Sequence, residues 1–206
     1  WKMEQHIFWL GHSSVKIKGS RIVYIDPWKI KTAEKADLIL VSHSHYDHFS
    51  PDDIEKIRKE DTVVLAPPDC LAPLGGNARA MKPGDTAVVS GVTVTAVPAY
   101  NVNKSFHPRS DDGLGFLVTA DGKTIYYGGD TDRIPEMDQI RADIVILPVG
   151  GTYTMTAEEA AQAVNRIKPG LAIPIHFGDI VGSIEDAGRF KDLCTVAVSI
   201  LPVSED

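Results

Sequence analysis

The feature that most constrains this chain is an abrupt change of character between Asp37 and His48. After Asp37, the run Leu38-Ile39-Leu40-Val41 is continuously apolar, as a strand covered on both faces is, and Ser42-His43-Ser44-His45-Tyr46-Asp47-His48 follows at once. Three imidazoles and a carboxylate at the end of a buried strand gain little from packing and would repel one another if protonated. Residues two apart in an extended segment share a side, so His43, His45 and Asp47 can converge before a turn brings in His48. The stretch predicts a metal-binding turn, and the fold must present the end of this strand to a site.

The flanking sequence predicts what surrounds it. Short strands are expected at His6 to Leu10, Val15 to Lys18 and Ile22 to Ile25. Ser50-Pro51-Asp52-Asp53 carries a cap, a first-turn proline and a capping-box acid, so a helix begins just past the histidines. Further strands are predicted at Thr62 to Ala66, Ala87 to Val89, Val92 to Val97, Gly115 to Thr119 and Thr124 to Tyr127, the last pair joined by an Asp121-Gly122 turn. Asp143 to Pro148 and Ala172 to Ile175 are short apolar strands on either side of a helix opened by Thr156 and Glu159 and stopped at Pro169-Gly170. Ser183 to Lys191 reads as a helix and Thr195 to Leu201 as a final strand. Many strands with three or four helices suggest two sheets packed face to face with helices outside.

Composition sets the bounds. A chain of 206 residues can bury a core without staples, and the expectation is one domain over 1–206, with two halves that each hold strands, a histidine-bearing strand end and a helix. A formal charge of -7 argues against a nucleic-acid or anionic-membrane surface. No apolar run approaches the roughly 20 residues needed to cross a bilayer, so no integral membrane association is expected. Cys70 and Cys194 form no close pair, which fits a reduced, cytoplasmic setting better than a disulfide framework.

Elsewhere in the chain, His107 and His176 can supply further imidazoles, and Asp130, after Gly128-Gly129, a carboxylate. With His43, His45, Asp47 and His48 these suffice for two divalent ions sharing Asp130. Mixed nitrogen and oxygen ligands favour zinc, manganese or iron over calcium. His6 reads as structural. His12 reads as lining the site's rim, touching a substrate oxygen or a metal ligand, and Asp26 as an acceptor that fixes a histidine tautomer or caps a turn. Lys104, Arg109 and Arg133 are candidates to bind an anionic group.

The intact His43-x-His45-x-Asp47-His48 signature, the Gly129-Asp130-Thr131 turn and the Ile173-Pro174-Ile175-His176 strand end resemble the metallo-β-lactamase-fold hydrolases. Gly11-His12-Ser13-Ser14, Ile25-Asp26-Pro27 and Leu147 to Met155 look more specifically like a compact branch containing ascorbate-phosphate lactonase-like proteins and relatives of the phosphodiesterases that cleave N-acylethanolamine phospholipids. The resemblance implies a four-layer αββα sandwich. It also implies His43, His45 and His107 around one metal, Asp47, His48 and His176 around the second, and Asp130 bridging them. One departure stands out: Asn101 occupies the place after Pro98-Ala99 where many relatives carry the third histidine, and His107 comes later.

Such a site would hydrolyse a small ester, lactone or phosphorylated metabolite with a metal-bridged hydroxide oriented by Asp47, metals lowering the pKa of water from 15.7 to about 7. A phosphodiesterase acting on phospholipid-like or nucleotide diesters is the alternative. A non-enzymatic, metal-stabilised interaction domain is the rival from another class. The expected partner is a small molecule, anionic in either chemistry, and Trp9, Trp28 and Phe106 leave open assembly with a second copy.

Overall fold

The computed structural model describes residues 3–31 and 34–205. Its first sheet has six strands in sequence order: β1 (Ile7–Gly11), β2 (Ser14–Lys18), β3 (Ile22–Ile25), β4 (Leu38–Leu40), β5 (Val63–Ala66) and β6 (Ala78–Ala80). β1 to β3 pair antiparallel, and β3 to β6 are parallel. The second sheet holds β7 (Thr86–Val89), β8 (Val92–Pro98), β9 (Leu114–Ala120), β10 (Lys123–Tyr127), β11 (Ile144–Pro148) and β12 (Leu171–Ile175). It too starts antiparallel, through β10, and ends in parallel pairs.

The period of two along the strands sorts the core into layers. Val23, Ile25, Leu38, Leu40, Val63 and Leu65 enter one large cluster with Val94, Phe116 and Val118 of the second sheet, which is the seam between the sheets. Their neighbours Tyr24, Ile39, Val64 and Ala66 point the other way and pack with Ile54 and Ile57 of α1 (Pro51–Ile57). On the far side α2 (Ala157–Ile167) and α3 (Ile184–Leu193) bury Ala160, Val164 and Phe190 in the large cluster. This is the expected αββα sandwich. No helix among the described residues is long and apolar enough to cross a membrane.

Capping follows the sequence reading. Ser50 accepts from Asp53 N at the start of α1, and Thr156 and Glu159 form a reciprocal capping box at α2. Asp121 and Gly122 both take positive φ in the β9–β10 hairpin, as a two-residue turn of that kind requires.

Three expectations need correction. His6 ends a 3-10 turn (Met3–His6), and β1 begins one residue later. Ala78–Ala80 is a strand that the sequence reading did not include; its small and charged side chains hide the pattern. Thr195 to Leu201 is not a strand: Ala172 exchanges backbone bonds with Ala197 and Ser199, but the next residue facing that edge is Pro174, which has no N–H to continue a parallel ladder.

Candidate metal centre

Parallel strands set the site by sending their carboxyl ends to one edge of the sandwich. β4 delivers Ser42 to His48, β10 delivers Asp130, and β12 delivers His176. Two backbone bonds draw the sheets together there: Leu114 N donates to Ser42 O, and His176 N to His12 O, each at 2.9 Å.

His107 reaches the same edge from the long β8–β9 connection, and Asn101 is the reason. Asn101 N donates to His107 O at 2.7 Å, and its Oδ1 accepts from His107 N at 2.9 Å. Its Nδ2 donates to Tyr153 O at 3.0 Å, which anchors the loop to the neighbouring segment. The residue that departs from the family pattern is the clasp that folds the loop back.

Two outer groups of ligand atoms result, joined by a third made of His43, His48 and Asp130. His43, His45 and His107 form one: His45 Nδ1 lies 3.0 Å from His43 Nε2 and 3.2 Å from His107 Nε2. His12, Asp47, His48 and His176 form the other. Asp130 stands between them, with Oδ1 at 3.2 Å from His48 Nε2 and Oδ2 at 3.3 Å from both His107 Nε2 and His176 Nε2. His48 Nε2, Asp130 Oδ1 and both ring nitrogens of His176 are buried and make no hydrogen bond despite this proximity. Buried polar atoms left so are rare and call for an explanation such as an ion. Converging nitrogens and carboxylate oxygens fit a borderline divalent cation, so the donor set suits the metal that the sequence implies.

Electrostatics agrees for several of the rings. Burial pushes the pKa of His43 well below its ordinary value. Burial also lowers His12 and His107, outweighing the carboxylates beside them. Neutral imidazoles are the form that ligates metal. His48 goes the other way, because Asp130 and Asp26 overcome the burial that would keep it neutral. Asp130 is held well below the usual carboxylate range, since His176 and His48 outweigh its burial.

A second ring of contacts orients these groups. Asp26, fully buried, accepts from Ser42 N at 2.7 Å, Ser42 Oγ at 2.6 Å and Tyr127 OH at 2.7 Å, and meets His48 Nδ1 at 2.7 Å. Its Nδ1 contact turns His48 Nε2 toward Asp130. Ser42 Oγ is also 2.9 Å from His43 Nδ1, which leaves His43 Nε2 for the cluster. Ser42 is thus a support for the His43 ring. Tyr127 carries no sequence signal for this role, since it reads as an ordinary strand-end aromatic.

His12 is not at the rim but 1% exposed, with Nε2 at 2.9 Å from Asp47 Oδ2. The three cations proposed for an anion lie elsewhere. Lys104 pairs with Asp132, Arg109 with Glu136 and Arg133 with Asp138, and none lines either cavity over the cluster. Those cavities, of about 360 and 250 Å³, share His45, His107 and Asp130. The larger carries charged side chains besides the cluster, namely Lys82, Asp69, Asp111 and Asp112. The smaller is bounded by Tyr46, Asp47, Phe106, Tyr153 and Ile180.

Comparison with known proteins follows the same lines. A β-lactamase superfamily domain matches residues 6–176. A UPF0173 metal-dependent hydrolase of Thermoplasma acidophilum is 35% identical over 204 residues, covering 91% of this chain and 89% of its own. A solved protein of Parabacteroides distasonis, described as a metal-dependent hydrolase, is 33% identical with a TM-score of 0.85, covering 96% of this chain and 93% of its own. Igni18, a metallo hydrolase of Ignicoccus hospitalis, shares the fold at 22% identity and a TM-score of 0.79, with 97% and 95% covered.

Proposed function

The chain belongs to the β-lactamase superfamily and is a metal-dependent hydrolase, and from that membership we propose that it holds two divalent cations, zinc in preference to manganese or iron, and cleaves a small ester or lactone. The observation that carries the reading is Asp130, whose two oxygens lie within 3.3 Å of nitrogens from both ligand groups. His43, His45 and His107 would hold one ion, Asp47, His48 and His176 the other, with Asp130 between them. When bound, the ions supply a Lewis acid for the scissile oxygen and lower the pKa of water.

The chain's own residues do the remaining work. Asp26, Ser42 and Asn101 fix the orientations of His48, His43 and His107. Asp47, held through Oδ2 by His12 and lining the smaller cavity, orients the attacking water. The substrate lies over His45, His107 and Asp130, where the cavities meet.

The charge around the site favours an ester or lactone over a phosphodiester. Phosphoryl oxygens are commonly met by arginine and lysine clamps, whereas Lys104, Arg109 and Arg133 are each turned to an acidic neighbour. Lys82 supports the phosphodiester as a second reading, because it is the lysine that lines the larger cavity; Asp69, Asp111 and Asp112 share that wall besides Asp130. Zinc-loaded protein assayed with p-nitrophenyl acetate and bis-p-nitrophenyl phosphate separates the two. The ester reading expects kcat/KM to favour the acetate by about tenfold or more beyond the difference in uncatalysed reactivity. A preference for the diester would overturn it.

A further inference from the structure

The smaller cavity has a composition that the hydrolytic reading does not by itself explain. Tyr46 is 68% exposed, Phe106 47% and Ile180 46%, so three large apolar side chains face solvent around one opening. They come from three separate connections, those following β4, β8 and β12. Phe106 is braced edge-on against Tyr153, ring centroids 4.7 Å apart, which gives the wall a defined shape. Single exposed apolar residues need no account, but several converging on a concave site adjoining polar groups mark a binding surface.

Charge decides what this surface accepts. The groups of the cavity that carry or can carry charge near neutral pH are His45, Asp47, His107 and Asp130, all assigned above to the metal centre; Tyr46 and Tyr153 add only neutral phenols, and neither lysine nor arginine is among its described lining residues. Nothing remains to receive a second charged group. The larger cavity differs, since its wall carries Lys82 and the aspartates. A substrate whose reacting bond lies at His45, His107 and Asp130 therefore meets a charged wall on one side and an uncharged apolar wall on the other.

We propose that the Tyr46–Phe106–Tyr153–Ile180 wall is the subsite for an uncharged apolar limb of the substrate, an aryl group or short alkyl chain, with the polar remainder directed into the Lys82 cavity. This rests on the hydrolytic reading and deepens it by specifying substrate class. At about 250 Å³ the cavity suits a ring or short chain rather than an extended lipid tail. Its lining rings present faces and edges to an aromatic guest.

Two hydroxamates test the subsite apart from turnover. Acetohydroxamate and benzohydroxamate share one metal-binding head and differ in the phenyl ring. Their affinities for the zinc-loaded full chain are measured by calorimetry, alongside Phe106→Ser and Ile180→Ser, both at exposed positions. Benzohydroxamate is expected to bind roughly tenfold or more tightly, as burial of a ring predicts. Each substitution should shrink that ratio severalfold while zinc content and acetohydroxamate affinity hold. Equal affinities in wild type, or a ratio unmoved by both substitutions, overturns the subsite and leaves the metal centre standing. Binding of neither hydroxamate overturns both together.

Discussion

Asp26 shows how much of a metal site can depend on a residue that is not itself a ligand. Its carboxylate meets four polar groups, Ser42 N at Oδ1 and Ser42 Oγ, His48 Nδ1 and Tyr127 OH at Oδ2. Asp26→Asn substitutes an N–H donor for one acceptor. Chelator competition should then give a zinc affinity lower by about 10- to 100-fold, the usual consequence of losing such a partner. Denaturation should show a loss of about 1–3 kcal/mol, since a buried donor is left unsatisfied. Unchanged zinc affinity would mean that Asp26 serves folding alone. At this scale the sequence is legible where ligands crowd together, as in His43 to His48, and less so where a loop decides. His107 follows from the residues present, but that Asn101 clasps it depends on the path of the intervening chain. The orientation of Lys104 and Arg109 depends on acids distant in sequence, Asp132 and Glu136, and that of Arg133 on the 3-10 turn that carries Asp138, so none was legible.

At the scale of elements, strand ends matter more than strand interiors. Gly129 sits between β10 and Asp130 with φ +67°, and a Cβ there would stand 2.4 Å from Leu114 O. Gly122 in the β9–β10 turn has a similar φ, +73°, but open space around it. Alanine at Gly129 should cost about 2–4 kcal/mol from backbone strain and overlap together, and alanine at Gly122 about 1–2 kcal/mol from backbone strain alone. Thermal melting of the two variants measures the difference; equal losses would show that the contact with β9 does not fix the Asp130 turn. Interior strands such as β4 and β11 were legible because burial on both faces leaves continuous apolar runs. Edges were not: β6 has too little apolar surface to announce itself, and the Thr195 to Leu201 segment is defeated by a proline in its neighbour rather than by its own composition.

Across the whole molecule, two sheets bring into one cluster ligands that lie far apart in sequence. His12 and Asp26 come from the first sheet's opening strands, His43 to His48 from its centre, and His107, Asp130 and His176 from the second sheet, so the site can form only when the seam between the sheets has closed. The number and order of strands and helices made the sandwich legible, and the His-x-His-x-Asp-His run identified which edge carries chemistry. The substrate was not legible, because the walls that would select it, Tyr46, Phe106, Tyr153 and Ile180 on one side and Lys82 on the other, lie on separate connections whose meeting no local pattern specifies. The central claim is a pair of metal ions sharing Asp130. Plasma mass spectrometry on zinc-reconstituted, gel-filtered protein tests it most directly, with His45→Ala and Asp130→Ala in parallel. Two zinc ions per chain are expected in the parent, close to one in His45→Ala and less than one in Asp130→Ala; a parent that saturates at one ion, or an Asp130→Ala protein that keeps two, would contradict it.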